Sequence, residues 1–284
     1  MAIEFVDKFG DMRRLGCIPQ DTNVVVIPVG AAIDDVSQQW DEATCRAVLS
    51  APGRVSRIQQ MRQFIFPDGK YAGRSFLDVF TAKANQGPTS GCNGGSVANN
   101  KTLARFFAGI HDGTVYSGSY SYSWMNHGQD NGSTLADGYQ EACLHGYVSV
   151  DLCPWSMIYR KQTAQFDAIA AQDLAVGPWP VRTQLGFLNN AAKGHLQTVA
   201  IEAGPQIDRV GPDGMAARSD SGMGNHAVTQ MDAEILPSGD IGYWLYLDWG
   251  PKHANNGFVC VTWDSHLAQT YQRHQFWCLP VGQP

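Results

Sequence analysis

Residues 85–96 read NQGPTSGCNGGS, a small-residue loop with Pro88 and glycines at 87, 91, 94 and 95. Downstream, Leu103, Phe106 and Phe107 recur at helical spacing, so the loop is predicted to run into a helix. Cys92 then falls at that helix's N-terminus, where unpaired backbone N–H groups and the helix dipole lower a thiol's pKa. The thiolate is the nucleophilic form of cysteine. A thiolate alone is not a hydrolase. It needs a proton shuttle for the leaving group and a hydrogen-bond donor for the oxyanion, both from elsewhere in the chain.

The chain around this loop has 284 residues, room for about two domain-sized units. It is 44% hydrophobic, 16% charged and rich in glycine (30 residues), the composition of a compact, loop-rich protein. The net charge is −6, with no basic block. Nucleic-acid binding needs a Lys/Arg face, so no such partner is expected. The longest apolar run, VVVIPVGAAI at 24–33, is interrupted by Pro28 and is half the length of a membrane span. MAIEFVDKFGDMRR at the N-terminus has no apolar segment behind a basic start and reads as a translation start without a secretory signal. The expected location is cytoplasmic or virion-associated. Seven cysteines show no CxxC or zinc-type Cys/His spacing, so neither metal nor cofactor is expected and most thiols should be reduced, buried and inert.

Helical periodicity covers 33–49, 135–146 and 163–176, while 56–66 fits a helix or an amphipathic strand. A short strand is predicted at 23–29. The Gly/Ser/Tyr/Asn-rich stretch 116–133 reads as irregular. After Pro178 the pattern turns to strands, at 198–203, 227–231, 243–248 and 257–262. A helical front half and a strand-rich back half give an α+β class.

The landmarks resemble papain-like cysteine peptidases, in the family's order, over roughly residues 74–264. Gln86-Gly87 precedes Cys92 by the step at which that family carries its oxyanion glutamine. Asn225-His226-Ala227-Val228, 134 residues downstream of Cys92, resembles the catalytic histidine at the head of a strand. Asp248-Trp249-Gly250 resembles the family's Asn-Ser-Trp-Gly block, and Asn256-Gly257-Phe258-Val259 resembles its Asn-Gly-aromatic-aliphatic run. Asp130-Asn131-Gly132-Ser133, Gly146-Tyr147-Val148 and Cys153-Pro154-Trp155 fit its middle portion.

The resemblance implies a two-lobe fold, a helical left lobe (about 71–180) and a β-rich right lobe (about 181–284), behind an N-terminal extension (1–70). The extension is a prodomain-like segment or a structural arm, although only Glu42-xxx-Arg46 echoes the family's prodomain helix. Cys92 is implied as nucleophile, His226 as acid/base and Gln86 as oxyanion donor. Gly132, Asn225 and Trp249 are implied at the substrate cleft, with a peptide or protein as substrate. The chain also departs from the pattern: Asn93 replaces an aromatic after the nucleophile, Gly94-Gly95 weaken or re-aim the helix start, and Thr89 replaces a disulfide cysteine.

The family's third catalytic residue, an asparagine, falls on Leu247, one position before Asp248. A one-residue step on a strand turns a side chain to the other face. Either a local irregularity brings Asp248 to His226, raising the imidazole pKa and fixing its tautomer, or nothing orients the ring. Two rivals accompany a peptidase. One is a catalytically degenerate scaffold in a larger viral or bacterial assembly, with a partner docked through residues 1–70. The other is a transglutaminase-like Cys-His-Asp acyl transferase.

Overall fold

The structure, a computed structural model, describes residues 3–6, 12–18, 39–126, 129–157, 164–208, 210–219 and 221–281. In chain order the elements are β1 (Ile3–Val6), β2 (Met12–Leu15), α1 (Glu42–Leu49), α2 (Arg57–Gln63), α3 (Phe76–Lys83), α4 (Cys92–Phe107), α5 (Gly118–Met125), α6 (Leu135–His145) and α7 (Ala164–Ala170). Then come β3 (Trp179–Pro180), α8 (Gln184–Ala192), β4 (Leu196–Ile201), α9 (Pro205–Asp208), β5 (His226–Ile235), β6 (Ile241–Tyr246), β7 (Phe258–Thr262), a π-helical turn (Trp263–Leu267), α10 (Ala268–Tyr271) and β8 (Trp277–Leu279).

Most helices begin where the sequence offers a cap. Asp41, Ser56, Ser75, Ser117 and Thr183 each accept a first-turn backbone N–H. Thr134 and Asp137 form a reciprocal capping box on α6. Helix α4 has no side-chain cap among the described residues; it starts on Cys92 itself, behind Gly91.

β1 and β2 pair antiparallel as a separate ribbon. The main sheet has the order β3-β8-β4-β5-β6-β7, with every neighbouring pair antiparallel. Helix α4 lies across β4 and β5 and packs on α5 and α6. Its buried polar side chains find partners on the sheet. Ser96 Oγ bonds to Thr198 Oγ1 at 3.1 Å, and Asn100 Nδ2 donates to Tyr139 Oη at 2.6 Å and to Thr198 Oγ1 at 2.9 Å. A buried polar network of this kind fixes the helix in one register, because any slip leaves unpaired groups in a low-dielectric interior.

A second apolar cluster joins α3, the end of α4 and strands β6 and β7, with Phe76 stacked on Phe106 at 3.9 Å. Phe80, fully buried, touches Tyr246 with ring centroids 4.8 Å apart. Phe80→Ala is expected to cost about 3–5 kcal/mol, the range for deleting a buried aromatic ring. A urea titration with unchanged slope checks it.

Helix α1 packs on α8 and β5, and α2 packs on α3 and β5. Buried Asp232 in β5 receives the Arg57 backbone N–H at 2.7 Å and pairs with the Arg54 guanidinium. Residues 42–66 are thus fastened to the sheet. The predicted strand at 23–29 and the first part of the predicted helix at 33–49 lie outside the described residues; its last two turns are α1. Residues 57–63 resolve to a helix. The stretch 116–133 departs from the expected irregular structure. Ser117 caps a helix there whose Tyr120 and Tyr122 are fully buried, so capping and packing override weak propensity. Among the described residues, no helix is long and apolar enough to cross a membrane.

Candidate active site

Cys92 is fully buried at the first position of α4. Gly94 and Gly95, in the first turn after it, allow close approach of neighbouring chain. A Cβ on Gly94 would stand 2.6 Å from the Gly118 carbonyl oxygen of α5, and one on Gly95 would stand 2.6 Å from Asp248 Oδ2. Asn93, in place of an aromatic residue, donates from Nδ2 to Ser133 Oγ at 3.0 Å and to the Thr134 carbonyl. It ties the helix that begins at Cys92 to the loop that carries Gly132.

His226 opens β5, and the next residue's N–H points at the thiol: Ala227 N donates to Cys92 Sγ at 3.3 Å. Trp249 stacks on the His226 ring at 4.8 Å and shields it from water. His226 Nε2 lies 2.8 Å from the Leu247 carbonyl oxygen. A carbonyl only accepts, so Nε2 carries a proton. Nδ1 of a neutral ring is then bare, and it has no hydrogen-bond partner among the described residues.

Asp248 does not reach His226, against the first of the two alternatives expected for it. Strand β6 ends at Tyr246, and Asp248 adopts φ +60°. Its carboxyl turns beneath α4 and accepts from Asn99 Nδ2. The backbone of Leu247, the residue standing at the family's asparagine position, contacts the ring instead. A carbonyl role of this kind leaves no residue signature.

Sequence reasoning also missed what lies over the thiol. Residues 16–18 run as an extended strap between two walls. Cys17 forms a parallel bridge with Ser133, Ser133 N donates to Gly16 O at 2.8 Å, and Ile18 N donates to Ser133 O at 3.0 Å. On the other wall Cys17 N donates to Asn225 O at 3.1 Å. The Gly16 N–H points toward the Cys92 sulfur. Ahead of the strap, Arg13 Nη2 donates to His253 Nε2 at 2.7 Å, and Arg14 pairs with Asp130 at 3.3 Å. Gly132, Asn225 and Trp249, all expected at a substrate cleft, surround this segment: Gly132 abuts Gly16, and Arg13 lies over the Trp249 ring. Gln86 is buried in the same loop as Cys92, its Nε2 donating to Thr89 O at 2.8 Å and leaving a second amide proton. Among the described residues, no group of three or more His, Cys, Asp or Glu is placed to hold a metal ion.

By sequence, no family model and no curated protein matches the chain. By structure, it is similar to xylellain, a cysteine protease from Xylella fastidiosa, at TM-score 0.65 and 13% identity, over 95% of this chain and 96% of that one. The chain has the papain-like fold. It is also similar to procathepsin B from Trypanosoma congolense (TM-score 0.58, 12% identity, 93% of this chain and 85% of that one). Bromelain from Ananas comosus matches at TM-score 0.54 and 16% identity, over 69% of this chain and 92% of that one.

In the candidate site of this papain-like fold, burial dominates the electrostatics. Desolvation pushes the Cys92 thiol up to about 11, against the N–H groups of Ala227, Gly16 and Asn93. Desolvation also lowers His226 to about 4, opposed by the Leu247 carbonyl and reinforced by the charge of Arg13. The covered pair is a neutral thiol and a neutral imidazole. The rise in imidazole pKa expected had Asp248 reached the ring does not occur; burial moves it the other way. Burial holds Asp248 itself well above the usual carboxylate range, the Asn99 amide opposing.

These shifts predict acid sensitivity. His226 and His266 are both fully buried, with pKa values lowered to about 4 from a free value near 6.5. A depressed folded-state pKa means that the unfolded chain binds the extra proton. The stabilising contribution is therefore complete above about pH 6.5 and is lost as pH falls toward 4. Each group adds about 1.4 kcal/mol per pH unit to the slope in that window. Thermal melts between pH 7 and 4 should show a steep fall that flattens in His266→Gln.

Proposed function

We propose that the protein is a thiol hydrolase acting on peptide bonds, held latent by its own residues 12–18. The observation that carries this reading is the extended strap hydrogen-bonded on both sides, to Ser133 and Asn225, across a cysteine at a helix N-terminus. Such a slot takes an extended peptide backbone. Once the strap leaves, water returns to Cys92 and His226 and the desolvation that holds both neutral is relieved.

The Cys92 proton then passes to His226 Nδ1, and Sγ attacks the substrate carbonyl carbon. The developing oxyanion is held by the Cys92 N–H and the remaining amide proton of Gln86. Collapse breaks the C–N bond, with Nδ1 returning its proton to the leaving amine. Water, deprotonated by the same nitrogen, releases the acyl group and restores the thiol. Residues 1–70 form the extension in this reading and 71–284 the catalytic unit, helical to about residue 180 and β-rich after it. A peptide or protein is the substrate. Seven free cysteines fit a reducing setting, cytoplasmic or virion-associated.

A second reading, a catalytically silent scaffold with a partner on residues 1–70, draws on one observation: Cys92 and His226 share no hydrogen bond in the covered site. A peptidyl-epoxide probe with adduct mapping separates the two. Labelling of Cys92 alone, rising when the strap is displaced and slowed by His226→Ala, supports the hydrolase. Labelling of Cys92 no faster than of the other six cysteines, strap displaced, supports the scaffold.

A further inference from the structure

The dipeptide Leu247-Asp248 touches all three components of the candidate site. Leu247 O accepts from His226 Nε2 at 2.8 Å. Asp248 O accepts the backbone N–H of Gln86 at 2.9 Å. Asp248 Oδ1 accepts from Asn99 on α4, the helix that begins at Cys92. Leu247 N, donating to Gly257 O at 2.9 Å, fixes the dipeptide from behind.

Asp248 reaches these positions only at φ +60°, the left-handed region that few residues other than glycine occupy and where Asp and Asn are enriched. Non-glycine residues persist there when their surroundings over-determine the conformation, and they cluster at functional sites. Here the surroundings are visible. The carboxyl is fully buried, and among the described residues Asn99 is its one side-chain donor while Oδ2 has no partner. No cation among those residues offsets its burial. Gly95, whose Cβ would meet Oδ2 at 2.6 Å, leaves room for the group.

We propose that Asp248 is a positioning residue: anchored to Asn99, its side chain holds the turn that aims the Leu247 carbonyl at His226 and its own carbonyl at Gln86. A backbone carbonyl thereby fixes the imidazole tautomer, and the acid acts through geometry alone. A carboxyl and an amide are nearly isosteric, and either oxygen can accept from Asn99, so asparagine should replace Asp248 and alanine should not. A carboxylate needed for its charge would instead fail as asparagine and as alanine alike.

The effect on turnover rests on the hydrolase reading; the effect on the ring does not. The test therefore begins with nitrogen-15 histidine NMR of the full chain near pH 7, with His226 assigned by its loss in His226→Ala. Wild type and Asp248→Asn should both show one tautomer, protonated at Nε2. Asp248→Ala and Asn99→Ala should show mixed tautomers while still melting cooperatively. Asp248→Gly, which adopts φ +60° without strain, should also lose the single tautomer. In a strap-displaced background, Asp248→Asn should label with the epoxide within about threefold of its parent. Asp248→Ala should fall about tenfold in inactivation rate with little change in probe affinity. The proposal is overturned if Asp248→Asn scrambles the tautomer, or if Asp248→Ala or Asp248→Gly leaves it intact. Absence of labelling throughout, with the NMR pattern as expected, removes the hydrolase reading and leaves the positioning role standing.

Discussion

Gly16→Val should uncover Cys92. A Cβ at Gly16 would stand 2.7 Å from Ser90 Cβ and 2.9 Å from Gly132 Cα, so the clash is with chain that has no flexible end to swing aside. Overpacking of this kind typically costs about 1–3 kcal/mol. Backbone hydrogen bonds to Ser133 and Asn225, with the arginine contacts to His253 and Asp130, hold the segment 13–18 in place. Since about 1.4 kcal/mol changes a population tenfold, the uncovered fraction should rise roughly five- to 150-fold. The epoxide labelling rate of Cys92 should rise with it, by about fivefold or more. Because burial is the main cause of the raised thiol pKa, the pH at which labelling is half-maximal should fall from about 11 into the range of an exposed thiol near a helix N-terminus. Arg13→Ala combined with Arg14→Ala should act in the same direction by removing the anchors at His253 and Asp130. A cooperatively melting Gly16→Val protein with unchanged labelling would show that the strap does not limit access.

In that uncovered background, Cys92→Ala and His226→Ala should each lower peptide hydrolysis by about a thousandfold or more, and the pair together should lose little beyond either alone. Groups that act as one unit behave this way, since neither works without the other. Sulfur attack needs the imidazole to take its proton, and amine expulsion needs the imidazole to give it back. The thiol is joined to β5 through Ala227 N–H rather than through the ring. His226→Ala should therefore remove reactivity while leaving the cysteine in place, which a fully denatured thiol titration checks. Hydrolysis surviving in Cys92→Ala would sink the mechanism.

How much of this the sequence disclosed depends on whether side chains or backbone atoms do the work. The loop before Cys92 and the strand after His226 were legible because glycines, a glutamine and a histidine at fixed steps leave marks in one dimension. The papain-like α+β class came from the same landmarks together with the shift to strands after Pro178. Asp248 misled because residue type advertised a carboxylate, while the φ of one residue sent it beneath α4 and gave its predecessor's carbonyl to the ring. Carbonyl oxygens are common to every residue, so their assignments emerge only with coordinates. The strap was hidden for a related reason. Met12–Leu15 carries two arginines and no clean alternation, and the residues just after it make long-range pairings with Ser133 and Asn225. Helices α3 and α8 also went unread, being short segments whose apolar residues meet partners far along the chain.

The position of β8 bears on how the protein is made. Residues 277–279 pair on both sides, with β3 and with β4, so the main sheet has a gap in its interior until they arrive. Among the described residues, β3 has no other strand to lean on. During synthesis the helices, with their local contacts, can form early, but the sheet must wait for residues 277–279, a topology expected to fold slowly. The strap residues 13–18 leave the ribosome well before their walls, Ser133 and Asn225, exist. A ribosome-bound intermediate would therefore carry the strap residues before the cleft that holds them in place is built.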